Sequence, residues 1–233
     1  MGAMIGDRIG KATEPKIMAF TVDLYWSFSS PYSYLAVKQL AALRRRWAFD
    51  ITPRIVLPTA LREPRLYAEV MTDAWMHYLR VDAPRIAEML GLPYAMPNPR
   101  PVAMASGERT PAHDQPHIWR LSRLGVAAAE MGRGLPFIDE VASLIWSGRD
   151  WTSPEALPDA AARAGLDLDE LERAVARAPD RFDAALEANA KALREAGHWG
   201  VPTMVFEGEP FFGQDRIPVL LWRLKQRGMA ERS

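Results

Sequence analysis

A hydroxyl-rich turn near the start of the chain has the residue types needed to bind an anion. Residues 20–26 are apolar enough for a buried strand, and residues 29–33 (Ser-Ser-Pro-Tyr-Ser) follow directly. Ser30 is predicted to cap a helix that begins at Pro31, because proline needs no N–H there and its φ is already helical. The free N–H groups and positive dipole end of this helix stabilise an anion and lower the pKa of a nearby thiol.

The thiol itself has to come from elsewhere, because the chain contains no cysteine. Disulfides, a catalytic protein thiol and thiolate-bound metal are therefore excluded, and we expect no disulfide oxidoreductase activity. If residues 29–33 do chemistry on sulfur, that sulfur arrives with a small molecule. The alternative is that Ser30 is an ordinary helix cap, since Ser-Pro is a common way to begin a helix.

Composition narrows the possible partners. The 233 residues carry 29 basic and 29 acidic side chains, so no overall field attracts nucleic acid or an anionic membrane. No apolar run is long enough for a membrane span, and no targeting segment is evident. Because the chain has no cysteine, we expect a reducing, cytoplasmic location. Residues 1–17 precede Met18 and the first strand, and we expect them to be a disordered leader.

The order of predicted elements defines the fold class. A strand at 20–26, a helix at 31–46 and a strand at 50–57 form a parallel βαβ unit. Residues 64–197 show helical periodicity, in which Asp82 and Pro84 predict one helix start. A hairpin over 203–212 and a last helix capped by Asp215 follow. We therefore predict an α/β, thioredoxin-like fold with a discontinuous core (18–63 and 198–233) and an inserted helical domain (64–197).

Three ordered motifs carry a family resemblance. They are residues 24–35 (Leu-Tyr-Trp-Ser-Phe-Ser-Ser-Pro-Tyr-Ser-Tyr-Leu), residues 200–203 (Gly-Val-Pro-Thr) and residues 211–216 (Phe-Phe-Gly-Gln-Asp-Arg). The chain resembles the 2-hydroxychromene-2-carboxylate isomerases and their relatives, the kappa-class glutathione transferases, which have a DsbA-type fold. The resemblance spans nearly the whole chain and implies that glutathione is the cofactor.

The first motif implies the catalytic residue. In this family the serine before proline hydrogen-bonds the sulfur of glutathione, and the matching residue is Ser30. Pro31 and Tyr32 follow it in the first turn and are expected to border the bound glutathione.

The other two motifs imply the remaining contacts with glutathione. The residue before a cis proline offers its main chain to the tripeptide, which implies Val201 with a cis bond to Pro202. Gln214 and Asp215 are expected to receive the γ-glutamyl end, where a carboxylate can pair with the ammonium group.

One position departs from the family pattern. Relatives carry an asparagine after the second strand that contacts glutathione, whereas this chain has Arg62 at the best matching position. Arg62 is therefore the expected replacement, although a guanidinium has a different geometry from an amide.

The resemblance implies an isomerase that acts on an aromatic-derived unsaturated 2-oxo acid by reversible thiol addition. A kappa-class-like glutathione transferase is the alternative, and a redox-dead module that binds peptide or protein is an alternative of another class. Members of this family are commonly dimers, so the resemblance also implies a homodimer. We expect no metal, because His113 and His117 lack a third ligand at a suitable spacing. Five aromatic residues are candidates for a substrate wall or for core packing: Trp26, Phe28, Trp75, Tyr78 and Phe212.

Overall fold

A computed structural model describes residues 20–105 and 110–232, and four strands within them form one mixed sheet. The predicted leader, residues 1–17, lies outside the described residues. The strands are β1 (Phe20–Trp26), β2 (Phe49–Ile55), β3 (Thr203–Phe206) and β4 (Glu209–Phe212), in the spatial order β2-β1-β3-β4. β1 and β2 are parallel, whereas β3 is antiparallel to both β1 and β4. The predicted α/β, thioredoxin-like class is confirmed.

Helices fill most of the sequence between β2 and β3. They are α2 (Thr59–Arg62), α3 (Pro64–Val70), α4 (Asp73–Met89), α5 (Ile118–Glu130), α6 (Gly134–Trp146), α7 (Ala156–Arg163), α8 (Leu168–Arg177) and α9 (Pro179–Glu195). α1 (Pro31–Arg46) connects β1 to β2, and a short 3₁₀ turn (Gln214–Arg216) precedes α10 (Ile217–Gln226). No helix in the described ranges is long and apolar enough to cross a membrane.

The core joins the sheet to the helices that follow it. Leu24 and Trp26 of β1 are fully buried because this strand has a neighbour on each side and helices packed around it. Phe28 continues the core beyond the strand, with its ring edge-on to Trp26 at 4.6 Å and to Phe137 of α6 at 6.4 Å. The strands and the helices of residues 64–197 thus share one hydrophobic cluster, and the proposed domain boundaries stay a prediction.

The predicted helix start at Asp82 and Pro84 is wrong. α4 begins at Asp73, and the hydroxyl of Thr72 caps it by accepting a bond from the N–H of Trp75 at 3.2 Å. Pro84 lies inside the helix. The upstream cap allows α4 to start nearly three turns earlier, which places Asp82 in the middle of a continuous helix.

Candidate functional site

A cavity of about 580 Å³ opens where the start of α1, the loop before β3 and one side of α4 meet. Six of the eight predicted site residues line it: Ser30, Pro31, Tyr32, Val201, Gln214 and Asp215. Pro202 and Arg62 do not reach its wall. The structure therefore brings together residues from both ends of the chain.

Ser30 caps α1 at the cavity wall, as the sequence predicts. Its backbone is extended, and its Oγ accepts a bond from the N–H of Ser33 at 3.2 Å, with Pro31 in the first helical turn. The same hydroxyl donates to the carbonyl of Val201 across 3.4 Å, a long and weak bond. Among the described residues, the N–H of Tyr32 has no acceptor. An anion placed here would meet the unpaired N–H of Tyr32 and the hydroxyl of Ser30, which only a weak bond holds in its present direction.

The loop before β3 presents main-chain groups to the same cavity. The bond between Val201 and Pro202 is cis, which confirms the prediction. Thr203 donates its hydroxyl to the carbonyl of Gly200 at 2.8 Å, and Gly213 donates its N–H to the carbonyl of Pro202 at 2.9 Å. The N–H of Val201 has no partner within the described ranges. The loop is thus fixed while Val201 keeps a donor for a ligand.

Gln214 and Asp215 lie on the cavity wall in the 3₁₀ turn. Gln39 of α1 donates to Oε1 of Gln214 at 2.9 Å, which leaves the amide NH₂ of Gln214 available. The side chain of Asp215 is 61% exposed and has Arg216 at 3.6 Å. The prediction that Asp215 caps the last helix is wrong, because α10 begins at Ile217 with no side-chain cap. The carboxylate of Asp215 is therefore not used in capping that helix.

Arg62 has a buried side chain that does not line the cavity. Its side chain is 7% exposed and donates to the carbonyls of Leu57 (2.7 Å) and Trp199 and to Glu63 (3.1 Å). Burial lowers the pKa of Arg62 to about 10, so the guanidinium still carries its charge at neutral pH. Oxygens of Leu57, Glu63, Thr59 and Trp199 accept bonds from its guanidinium. The role of Arg62 in place of the family asparagine stays a prediction.

Asp82 is a cavity residue that sequence reasoning missed. Its Oδ2 accepts the phenol O–H of Tyr32 at 2.8 Å, across 50 positions of sequence. Burial and this hydrogen bond raise the pKa of Tyr32 far above its ordinary range, so the phenol stays protonated. A signal was available, since cavity residues recur at helical spacing along α4: Trp75, Leu79, Asp82 and Ile86.

The cavity wall is largely aromatic and apolar. Of the five aromatic candidates, Trp75, Tyr78 and Phe212 line the cavity, whereas Trp26 and Phe28 are buried in the core. Three further aromatic side chains on the wall come from separate elements: Tyr67, Trp146 and Trp199. Such a surface suits a flat, unsaturated ring, because aromatic contacts add to simple apolar burial.

Ser27 adds a buried hydroxyl to the wall. The residue is 1% exposed, and its Oγ has no hydrogen-bond partner in the part of the chain that the structure describes. A buried hydroxyl without a partner is costly, so a ligand that supplied an acceptor or donor here would gain affinity.

His198 supports the loop that carries Val201. Its ring stacks on Phe212 with centroids 3.9 Å apart, and its Nδ1 accepts the N–H of Gly200 at 2.9 Å. Protonation of Nδ1 would remove that acceptor. Burial also lowers the pKa of His198 below its ordinary value.

We expect the stability of the protein to fall on acidification because of His198. Below a pH of about 6.5 the unfolded chain takes up this proton before the folded chain does, so the free energy of unfolding decreases. Thermal melts from pH 7.5 to pH 5 should show less acid destabilisation in His198→Asn than in the wild type. The exposed His77 provides the control, and an equal effect of His77→Asn would contradict the assignment.

The described residues contain no group of three or more side chains placed to hold a metal ion. Of the two histidines noted in the sequence, His117 packs edge-on against Trp151 with ring centroids 5.0 Å apart.

Comparison with known proteins identifies the class. The chain belongs to the family of the DSBA-like thioredoxin domain, whose model matches residues 21–225. It is 27% identical over 210 residues to a 2-hydroxychromene-2-carboxylate isomerase of Sphingobium xenophagum, an alignment that covers 87% of this chain and 97% of that protein. The similarity thus extends over nearly the whole length of that isomerase.

Solved structures agree on the fold. A 2-hydroxychromene-2-carboxylate isomerase superposes with a TM-score of 0.66 at 22% identity, covering 89% of this chain and 95% of the other. A probable DsbA oxidoreductase from Streptomyces coelicolor superposes with a TM-score of 0.61 at 19% identity, covering 89% of each chain. Both confirm the predicted DsbA-type architecture.

Proposed function

We propose that this protein is a glutathione-dependent isomerase of unsaturated, aromatic-derived 2-oxo acids. One observation carries the proposal: the Ser30 hydroxyl and the unpaired N–H groups of Tyr32 and Val201 border one cavity with an aromatic wall. The chain has no cysteine of its own, and its relative is named as an isomerase of a ring-bearing carboxylate.

The side chains on the cavity wall fit the polar groups of glutathione. Asp215 can pair with the γ-glutamyl ammonium group, and the free amide NH₂ of Gln214 can donate to the carboxylate beside it. Val201 can bond the main chain of the cysteinyl residue through its N–H. A protein of this fold, the cytosolic disulfide reductase DsbM from Pseudomonas aeruginosa, has been solved with GSH.

Glutathione bound here would supply a thiolate that adds reversibly to an unsaturated carbon, which permits rotation about the resulting single bond. Ser30 would turn its hydroxyl from Val201 toward the sulfur, and the α1 dipole would favour the ionised thiol. Tyr32 would keep its proton and its bond to Asp82, which holds the phenol in place. The aromatic wall would hold the substrate ring in a fixed orientation and exclude water.

The proposal is tested by an isomerisation assay. The cis and trans isomers of an arylidene pyruvate should interconvert only when both the protein and reduced glutathione are present. The reaction should consume no glutathione. Stoichiometric loss of glutathione with a chloronitroarene, and no isomerisation, would favour the transferase instead. Glutathione-independent isomerisation would contradict the proposed cofactor.

A further inference from the structure

The segment between α4 and α5 contributes the cavity's positive charge. Among the described residues that line the cavity, Arg100 is the one basic residue. The acidic residues on the wall are Asp82 and Asp215. The carboxylate of Asp82 already accepts a bond from Tyr32 and has Arg85 at 3.8 Å. Any negatively charged group of a substrate therefore has one cation on the wall to meet.

The guanidinium N–H groups of Arg100 have no hydrogen-bond partner among the described residues. Within the described ranges its side chain makes no hydrogen bond and no ion pair. The buried Arg62 differs, because each of its three guanidinium nitrogens donates to a protein oxygen. A guanidinium offers a planar fork of N–H groups that matches a carboxylate in a bidentate geometry.

The backbone around Arg100 is held in place. The indole N–H of Trp151 donates to the carbonyl of Pro99 at 2.9 Å, and the N–H of Ala95 donates to the carbonyl of Trp146 at 2.8 Å. Pro99 and Pro101 flank Arg100 and fix φ on both sides of it. Ligand binding would therefore order the side chain of Arg100, because the backbone around it is already fixed.

Apolar side chains surround the charge. The same segment places Met96, Val102 and Met104 on the cavity wall, and Trp146 lies on the wall as well. A ligand with a carboxylate joined to an unsaturated or aromatic body matches this pairing of one cation with an apolar surface.

We propose that Arg100 is the residue that binds the carboxylate of the acid substrate and so selects acids over neutral analogues. This inference rests on the proposed function for the identity of the substrate, but it concerns a group that no glutathione contact uses. Arg100 is a specificity determinant: its loss weakens substrate binding and leaves glutathione binding unchanged.

The test compares a benzylidenepyruvate with its methyl ester, titrated by calorimetry into wild type, Arg100→Lys, Arg100→Gln and Arg80→Gln. Arg80 is an exposed arginine of α4 that does not line the cavity, so its variant is the control. The wild type should prefer the acid. Arg100→Gln should weaken acid binding by about tenfold or more, since bonds to charged groups are the strong ones. Its affinity for the ester and for glutathione should not change, and Arg100→Lys should lose less.

The outcomes separate this inference from the proposed function. A wild type that binds acid and ester equally, or an Arg100→Gln variant that binds the acid as tightly as the wild type, overturns the role of Arg100. Arg100-dependent acid binding by a protein that fails to bind glutathione would support this site and overturn the proposed cofactor.

Discussion

Replacement of Ser30 by alanine should raise the pKa of the bound glutathione thiol and lower kcat/KM about 10- to 100-fold. The reason is the loss of one hydrogen bond to a thiolate, and bonds to charged groups contribute about 1.5–3 kcal/mol. The thiol pKa is read from the ultraviolet absorbance of bound thiolate across pH, with the isomerisation rate measured on the same samples.

The controls separate chemistry from helix capping. Ser30→Ala also removes the cap of α1, at a cost of about 1 kcal/mol in stability. Ser30→Thr keeps both the cap and the donor and should retain most activity. Ser33→Ala removes a buried hydroxyl of the same helix that has no partner among the described residues, so it should leave the thiol pKa unchanged. An unchanged thiol pKa in Ser30→Ala would show that its hydroxyl does not contact sulfur.

Replacement of Arg62 by alanine should lower the free energy of unfolding by about 3–5 kcal/mol, the range for breaking a buried charged network. The carbonyls of Leu57 and Trp199 would lose their donor, and Glu63 would keep only Arg194 at 3.0 Å. Because Trp199 leads into Gly200 and Val201, the cavity wall should loosen as well. Urea denaturation measures the effect.

The nearby Arg65 supplies a matched control for Arg62. It is exposed and does not line the cavity, so Arg65→Ala should change stability by no more than about 0.5 kcal/mol. If Arg62→Ala kept full stability but lost affinity for glutathione, the result would contradict a structural role for Arg62. It would instead support the glutathione contact that the family resemblance implies.

Local signals in the sequence were sufficient for much of the fold. Ser30 and Pro31 marked the start of α1 because capping depends on neighbouring residues. The hairpin strands closely match the predicted ones, since alternating apolar residues and a Glu207-Gly208 turn specify them locally. The first strand and α1 coincide with their predicted bounds, and β2 begins one residue earlier than predicted.

Contacts between residues far apart in the sequence determine the features that we could not predict. Arg62 is buried and donates to the carbonyl of Trp199, a contact that spans 137 positions. Asp82 joins the site through Tyr32, and its place in α4 was obscured by Pro84, which usually marks a helix start. Arg100 lies in an irregular segment whose position depends on Trp151 and Trp146, so no periodic pattern assigned it to the cavity.

We propose that the start of α1 and Val201 form a site for the ionised thiol of glutathione. The decisive experiment is calorimetric titration of reduced glutathione into the wild-type protein, repeated in buffers of different ionisation enthalpy. We expect saturable binding of one glutathione per chain with release of a proton near pH 7, and no proton release with S-methylglutathione. Absence of saturable binding at millimolar glutathione, or binding of both compounds without proton release, would contradict it.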